Sequence, residues 1–315
     1  MRILLHDGRA LDDESQQMIH GHLDPDFAEV AKVFRSLIPR SGAGGAAVCV
    51  YHRGEVVVDL WGGTRDDRGS PWESDTISLS YSTTKGVAST LLHLLVDRGL
   101  VDYDAPVSTY WPEFADAGKE SVTVRHLLSH QAGLYDIRRL VDGAHRMLDW
   151  GYMTRALAKA EPVHRPGTAH GYHGLTYGWL VGEIVQRVTG EAFADSLERE
   201  LALPLALDGL YCGLPVEQMH RRAILVGQGL HQGGRAMARA KRLAKAVNRA
   251  FAIAHLPIDL RNTAAALLPA GIETIDFNSP ELIGVSIPAA NGMFTARSLA
   301  KLYAMLANGG ELNGV

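Results

Sequence analysis

Apolar positions divide this chain into segments of two periodicities. Phe27, Val30, Phe34, Leu37 and Ile38 recur at helical spacing, after Asp24-Pro25, an N-cap followed by proline at the first helical position, and Pro39 ends the run. Beyond the loop Ser41-Gly42-Ala43-Gly44-Gly45, two β-rich runs, Ala46 to His52 and Glu55 to Trp61, flank Arg53-Gly54, which predicts a hairpin. Ser82 to Arg98 reads as a helix apolar on nearly every side, hence central to the fold, with Gly99 at its end. Further helices are predicted over Thr123 to Ser129, Met147 to Ala160, Thr176 to Val188 (closed by Gly190), Ala192 to Leu201, and from the cap Thr295 to Ala307 (closed by Asn308-Gly309). Residues 1–23 are polar and show no clear period, and no internal repeat is visible.

Composition narrows the class. At 315 residues, 46% apolar and 21% charged, the chain has the balance of a soluble globular protein with a sizeable core. A net charge of −4 gives no reason to expect a nucleic-acid partner. The two cysteines, Cys49 and Cys212, read as buried thiols. The start Met1-Arg2-Ile3-Leu4-Leu5-His6-Asp7 is too short an apolar run for a secretory leader, and no stretch is long enough to span a bilayer, so a cytoplasmic location is expected. One region stands apart: Arg221, Arg222, Arg235, Arg239, Lys241, Arg242, Lys245 and Arg249 accumulate with no acid between Glu217 and Asp259. It reads as a solvated basic face on a docked helix, or as a cap able to make peripheral membrane contact over 235–254.

The candidate chemistry begins at Ser82-Thr83-Thr84-Lys85. Three residues apart on a helix, two side chains share a face, with about 5–6 Å between their Cβ atoms. The Lys amine then reaches the Ser hydroxyl, and both the helix dipole and burial disfavour its ammonium form. S-x-x-K alone is weak, since roughly one match per few hundred residues arises by chance. Ser298-Leu299-Ala300-Lys301 is such a match, on an ordinary amphipathic helix. Ser82 differs because the strand-like run Thr76-Ile77-Ser78-Leu79 turns there abruptly into a buried helix, whose mouth can hold an oxyanion. Tyr172 follows a Pro166-Gly167 turn and precedes a helix, which suits either a phenol in a cleft or a half-buried ring. His126 and His130 have i, i+4 spacing, but Leu127 stands where a zinc hydrolase needs a base, so their role reads as structural. His164, His170 and His173 lack thiols or carboxylates at ligand spacing, and neither metal nor cofactor is expected. Gly42-x-Gly44-x-x-Ala47 precedes a strand and opens no helix, so it is no dinucleotide fingerprint; no G-x-S-x-G elbow occurs.

Taken in order, Ser82-Thr-Thr-Lys85-Gly86, Leu94-Leu-Val-Asp-Arg-Gly-Leu100, Tyr110-Trp-Pro-Glu-Phe114, His126-Leu-Leu-Ser-His-Gln-Ala-Gly-Leu134 and Pro166-Gly-Thr168 through Tyr172 to Gly190 resemble the penicillin-recognising serine hydrolase superfamily. That superfamily holds class C β-lactamases, DD-peptidases and family VIII carboxylesterases. Tyr172-His173-Gly174-Leu175-Thr176-Tyr177-Gly178 is similar to the esterase pattern. The resemblance runs from about Gly44 onward. It implies Ser82 as nucleophile, Lys85 as the group that deprotonates it, and Tyr172 as a second acid/base. It also places Tyr135, His173 and Gly174 beside the substrate. Lactamases of this kind carry Tyr-x-Asn where Gly174 stands, which favours esters over lactams. The third motif, a Lys or His, a small residue and Gly on a strand beyond Ala307, is missing before Asn313-Gly314-Val315. His231-Gln232-Gly233 has the letters but lies upstream.

The expectation is therefore an α/β (α+β) chain of β-lactamase/DD-peptidase type, an antiparallel sheet flanked by helices beside a mainly helical region, with its C-terminal strands missing. A segment 1–40 precedes a domain 41–315, comprising the hairpin (41–80), the helical region with the catalytic motifs (81–214), the basic insertion (215–270) and a truncated return to the sheet (271–315). The expected function is a carboxylesterase acting on small-molecule esters with short or medium acyl chains. The alternatives are a lactamase or DD-peptidase-like amide hydrolase, and a non-catalytic binding protein on the same fold.

Overall fold

The computed structural model describes residues 19–39, 42–226 and 260–314. The basic stretch 235–254, the His231-Gln232-Gly233 triplet and most of segment 1–23 lie outside the described residues. The chain forms two compact units. One comprises residues 1–80, 197–227 and 293–315; the other comprises 81–196 and 228–292.

The first unit carries the sheets. Strands β1 (Ile19–Leu23), β2 (Gly45–His52) and β3 (Glu55–Gly63) pair antiparallel in the order β1-β3-β2. The β2–β3 connection is the expected hairpin: Arg53 and Gly54 take φ of +54° and +86°, the paired left-handed values of a tight turn that matches strand twist. Strand β1 is an element the sequence reading did not find. Its centre, Gly21, takes φ +126°, and a Cβ there would lie 1.8 Å from the Asp59 carbonyl, so only glycine fits. Helix α1 (Ala28–Leu37) follows a 3-10 turn, Pro25–Phe27, that is capped by Asp24, whose carboxylate accepts from the Asp26 amide. It lays Ala31 and Phe34 on Ile19, Leu23, Val58 and Leu60, closing a small apolar core.

A second sheet has the order β4-β6-β5, from β4 (Ser78–Leu79), β5 (Leu210–Cys212) and β6 (Gly292–Phe294), with β4 antiparallel to β6. Arg221 ties this region together through a bidentate pair with Asp208 at 2.8 and 3.1 Å. The helix Ala296–Ala307 starts at Thr295, whose hydroxyl accepts from the Ser298 amide, and it packs on β2. Cys49 is half-buried and Cys212 buried, both as free thiols. Burial and the nearby Asp59 carboxylate push Cys49 up to about 12, which leaves it unreactive at neutral pH.

The second unit is mainly helical. Helices α2 (Thr84–Asp97), α3 (Val124–Leu128) and α4 (Trp150–Lys159) all pack on α5 (Thr176–Thr189), which is buried continuously from Thr176 to Val185. Gly190 ends α5 with φ +74°, as the spacing predicts. The one carboxylate inside this stack, Glu183, is satisfied by Trp150 Nε1 and Arg187 Nε, each at 2.8 Å. Among the described residues, the remaining helices are α6 (Phe193–Leu197, continued by a π turn to Ala202), α7 (Leu260–Leu267), α8 (Pro280–Ile283) and α9, the Ala296–Ala307 helix of the first unit. Antiparallel sheets with flanking helices and a helical region agree with the expected fold class. Among the described residues, no helix is long and apolar enough to cross a membrane.

Candidate active site

Ser82 does not lie inside α2, as the helical spacing suggests, but in a 3-10 turn, Tyr81–Thr83, that leads into it. The cause is Tyr81, whose φ of +43° is left-handed, a conformation that costs a bulky residue roughly 1–3 kcal/mol. Thr84 holds the bend: its hydroxyl donates to the Tyr81 carbonyl at 2.5 Å and accepts from the Gly292 amide at 2.9 Å. The sharp entry leaves Ser82 exposed while Lys85, one turn on, is buried.

Lys85 Nζ has three oxygen neighbours: the Gly174 carbonyl at 2.6 Å, the Ala289 carbonyl at 2.9 Å and Ser82 Oγ at 3.2 Å. Two of these can only accept, whereas the hydroxyl can also donate. A neutral amine therefore satisfies both carbonyls with its two N–H groups and turns its lone pair to Ser82. Burial pushes Lys85 down to about 8, which makes that form accessible near neutrality. Lys119 serves as the contrast. It is also buried, but its Nζ donates to three carbonyls, of Asp116, Ala158 and Ala160, at 2.6–2.9 Å. All three partners are acceptors, which suits an ammonium that ties off the end of α4; burial lowers its pKa, and the charges of Asp116, Glu120 and Glu161 oppose that shift.

Tyr172 completes the triangle. Its Oη is 2.8 Å from Ser82 Oγ, and Lys85 Nζ sits 5.0 Å from its ring centroid. The second S-x-x-K forms no such group: Ser298 is buried and donates to the Asp208 carbonyl at 2.7 Å.

The residues expected beside the substrate divide. Tyr135 is half-buried against Gly171, where a Cβ would come within 2.2 Å of its ring. His173, by contrast, is fully buried. Its Nε2 accepts from the Leu134 amide at 3.0 Å, and desolvation pushes it down to about 3, so it is a neutral core imidazole and does not face a ligand. Gly174 acts through its main chain. Its carbonyl holds Lys85, and a Cβ would meet Leu267 Cδ2 at 2.6 Å and the Ala266 carbonyl at 2.8 Å. Helix α7 thus fills the space that a side chain at position 174 would need.

Three residues contribute in ways that the sequence does not assign to them. The Ala289 carbonyl belongs to a segment laced by the buried Asn291, whose amide donates to Leu282 and Val285 carbonyls and accepts from the Ile287 amide. Gly178 lets that segment approach α5, since a Cβ would lie 2.7 Å from the Ala289 nitrogen. A lone amide in the apolar run Ile287–Phe294 was the available signal. His130 is the third, and its ring packs within 5.1 Å of Tyr172. His126 closes a capping box with Thr123, a structural role. Among the described residues, no cluster of three or more His, Cys, Asp or Glu is placed to hold a metal.

A family profile described as Beta-lactamase matches residues 30–314. The chain is similar to the esterase/β-lactamase LipL of Mycobacterium tuberculosis, with 37% identity over 98% of this chain and 68% of that protein. Among solved structures it is similar to a penicillin-binding protein homolog from Caulobacter crescentus, at 37% identity and TM-score 0.77, covering 95% of this chain and 74% of the other. It is also similar to a family VIII carboxylesterase, at 36% identity and TM-score 0.78, covering 94% and 73%. These relatives overturn the cytoplasmic location expected from the N-terminal residues, because proteins of this group are typically periplasmic or secreted.

Proposed function

Because the chain belongs to the Beta-lactamase family, as a serine hydrolase of the β-lactamase/esterase fold that acts on esters through an acyl-enzyme, we propose that Ser82 is the residue acylated, with Lys85 and Tyr172 moving its protons. The observation that carries this reading is the triangle itself: one hydroxyl within hydrogen-bond distance of both a buried amine and a phenol. In the first step Ser82 Oγ attacks the ester carbonyl while its proton passes to the lone pair of Lys85. The carbonyls of Gly174 and Ala289 then stabilise the ammonium that forms. Tyr172 delivers a proton to the departing alcohol and is reprotonated from the Lys85 side. Water enters by the reverse of this path, releasing the acid and restoring Ser82. Positioned proton transfer of this type is worth about 10²–10⁴ in rate.

The proposed substrates are small esters with short or medium acyl chains. The name of LipL supports a second reading, lactam hydrolysis. The packing of Leu267 and the Ala266 carbonyl on Gly174 weighs against it, because no amide-bearing side chain fits there. The test is fluorophosphonate labelling with peptide mapping, alongside turnover of p-nitrophenyl acetate, butyrate and octanoate and of nitrocefin. The reading expects a Ser82 adduct that Ser82→Ala abolishes, a loss of at least about 10²-fold in kcat for Lys85→Ala, and ester turnover well above nitrocefin turnover. An adduct at another residue would remove the assignment. Nitrocefin turnover equal to that of the acetate would establish the second reading.

A further inference from the structure

His130 follows α3 with φ +61°, a left-handed conformation in which Asn, Asp and His are enriched over other non-glycine residues. From there it touches the Tyr172 segment at two points. Its carbonyl accepts from the Gly171 amide at 3.0 Å, and its Nδ1 accepts from the His173 amide at 3.1 Å. These are the main-chain groups immediately before and after Tyr172. The imidazole also meets the Tyr172 ring in an edge arrangement at 5.1 Å, with Tyr177 tilted at 5.0 Å, His173 stacked at 5.5 Å and His170 edge-on at 5.8 Å.

We propose that His130 is a positioning residue for the reaction: it brackets Tyr172 from both sides and fixes its phenol on Ser82 Oγ. The proposal rests on the reading of Tyr172 as the proton-transferring phenol. The bracket requires Nδ1 to be an unprotonated acceptor, which places the ring proton on Nε2. The surroundings maintain that state: burial first, then the nearby His170 and Lys85, push His130 down to about 4. Burial also keeps the stacked His173 neutral. An acceptor fixed to the backbone is a stiffer guide than ring packing alone. A misplacement of about 1 Å at a catalytic group can cost 10²-fold.

Two substitutions separate hydrogen bonding from packing. In His130→Asn the side-chain oxygen takes the place of Nδ1, the ring is lost, and asparagine suits the left-handed backbone. In His130→Phe the ring is kept and the acceptor lost. The measurements are kcat and KM on p-nitrophenyl butyrate, thermal midpoint, fluorophosphonate labelling of Ser82, and amide hydrogen exchange at Gly171 and His173. The expected result is kcat within about threefold of wild type for Asn, and about tenfold or more lower for Phe at similar KM. Exchange at the His173 amide should accelerate only in Phe. Higher activity in Phe than in Asn, or equal losses in both, would overturn the proposal. Tyr172→Phe, assayed in parallel, distinguishes the premise. If it keeps full kcat, Tyr172 is not the proton carrier, while the His173 amide still reports whether His130 grips the segment.

Discussion

An amine with three oxygen partners can act as a base only when one partner is itself a donor. Lys85 and Lys119 make the point within one chain, since both are buried and each makes three hydrogen bonds. Their difference lies in a single atom, Ser82 Oγ in place of a third carbonyl. This fixes the pH behaviour. The proposed mechanism requires neutral Lys85, and burial pushes its pKa from 10.5 down to about 8. Below that pH the ammonium dominates and the active fraction falls as pH falls. The rate kcat/KM should therefore rise about tenfold per pH unit below 8 and level off above it. A pH–rate profile on a neutral ester with a fixed leaving group checks this. A limb near the ordinary lysine value, or a flat profile from pH 6 to 9, would show that Lys85 is not the base.

At the scale of elements, the site depends on how closely α5 and the segment Ile287–Asn291 approach. Gly178 sets that distance, because its missing Cβ leaves room for the Ala289 nitrogen at 2.7 Å and Pro288 at 2.9 Å. In an isolated helix, Gly→Ala stabilises by about 1 kcal/mol. Here Gly178→Ala should do the reverse, lowering the thermal midpoint and cutting kcat by about tenfold or more as the Ala289 carbonyl is driven from Lys85. Thermal denaturation with ester assays decides it, and a more stable, fully active variant would refute the account. The same element shows what the sequence could disclose. Local signals were legible: the Asp24 cap, the Arg53-Gly54 turn, the Gly190 stop, and the S-x-x-K in a context that set Ser82 apart from Ser298. The hidden features depend on partners distant in the chain. Strand β1 exists because Gly21 lets its backbone reach Asp59, and the grip on Lys85 comes from a main-chain carbonyl 204 residues away. Neither leaves a periodic trace. His130 was visible as half of an i, i+4 pair, yet that spacing says nothing about a φ of +61° turning its ring toward Tyr172.

Over the whole molecule, the two sheets of the first unit differ in how far their strands are separated along the chain. β1, β2 and β3 lie within residues 19–63, and their hairpin closes over two residues. The β4-β6-β5 sheet instead joins residues near 78, 210 and 293, so it cannot form until long loops have been closed. Loop closure must be met before such contacts stabilise anything, which makes distant pairings the slow ones. Pulse-labelled hydrogen exchange during refolding should therefore protect the β2–β3 amides first. The amides of Ile77, Ala223 and Thr295, bonded to the carbonyls of Arg221, Ile77 and Gly209, should follow in a later phase. Simultaneous protection of both sets would mean that the second sheet is assembled in the same step as the hairpin. The thermal midpoint would then respond to a cavity at Phe34 and to one at Phe294 through a single transition, whereas the staged order predicts that only the Phe34 substitution slows the early phase.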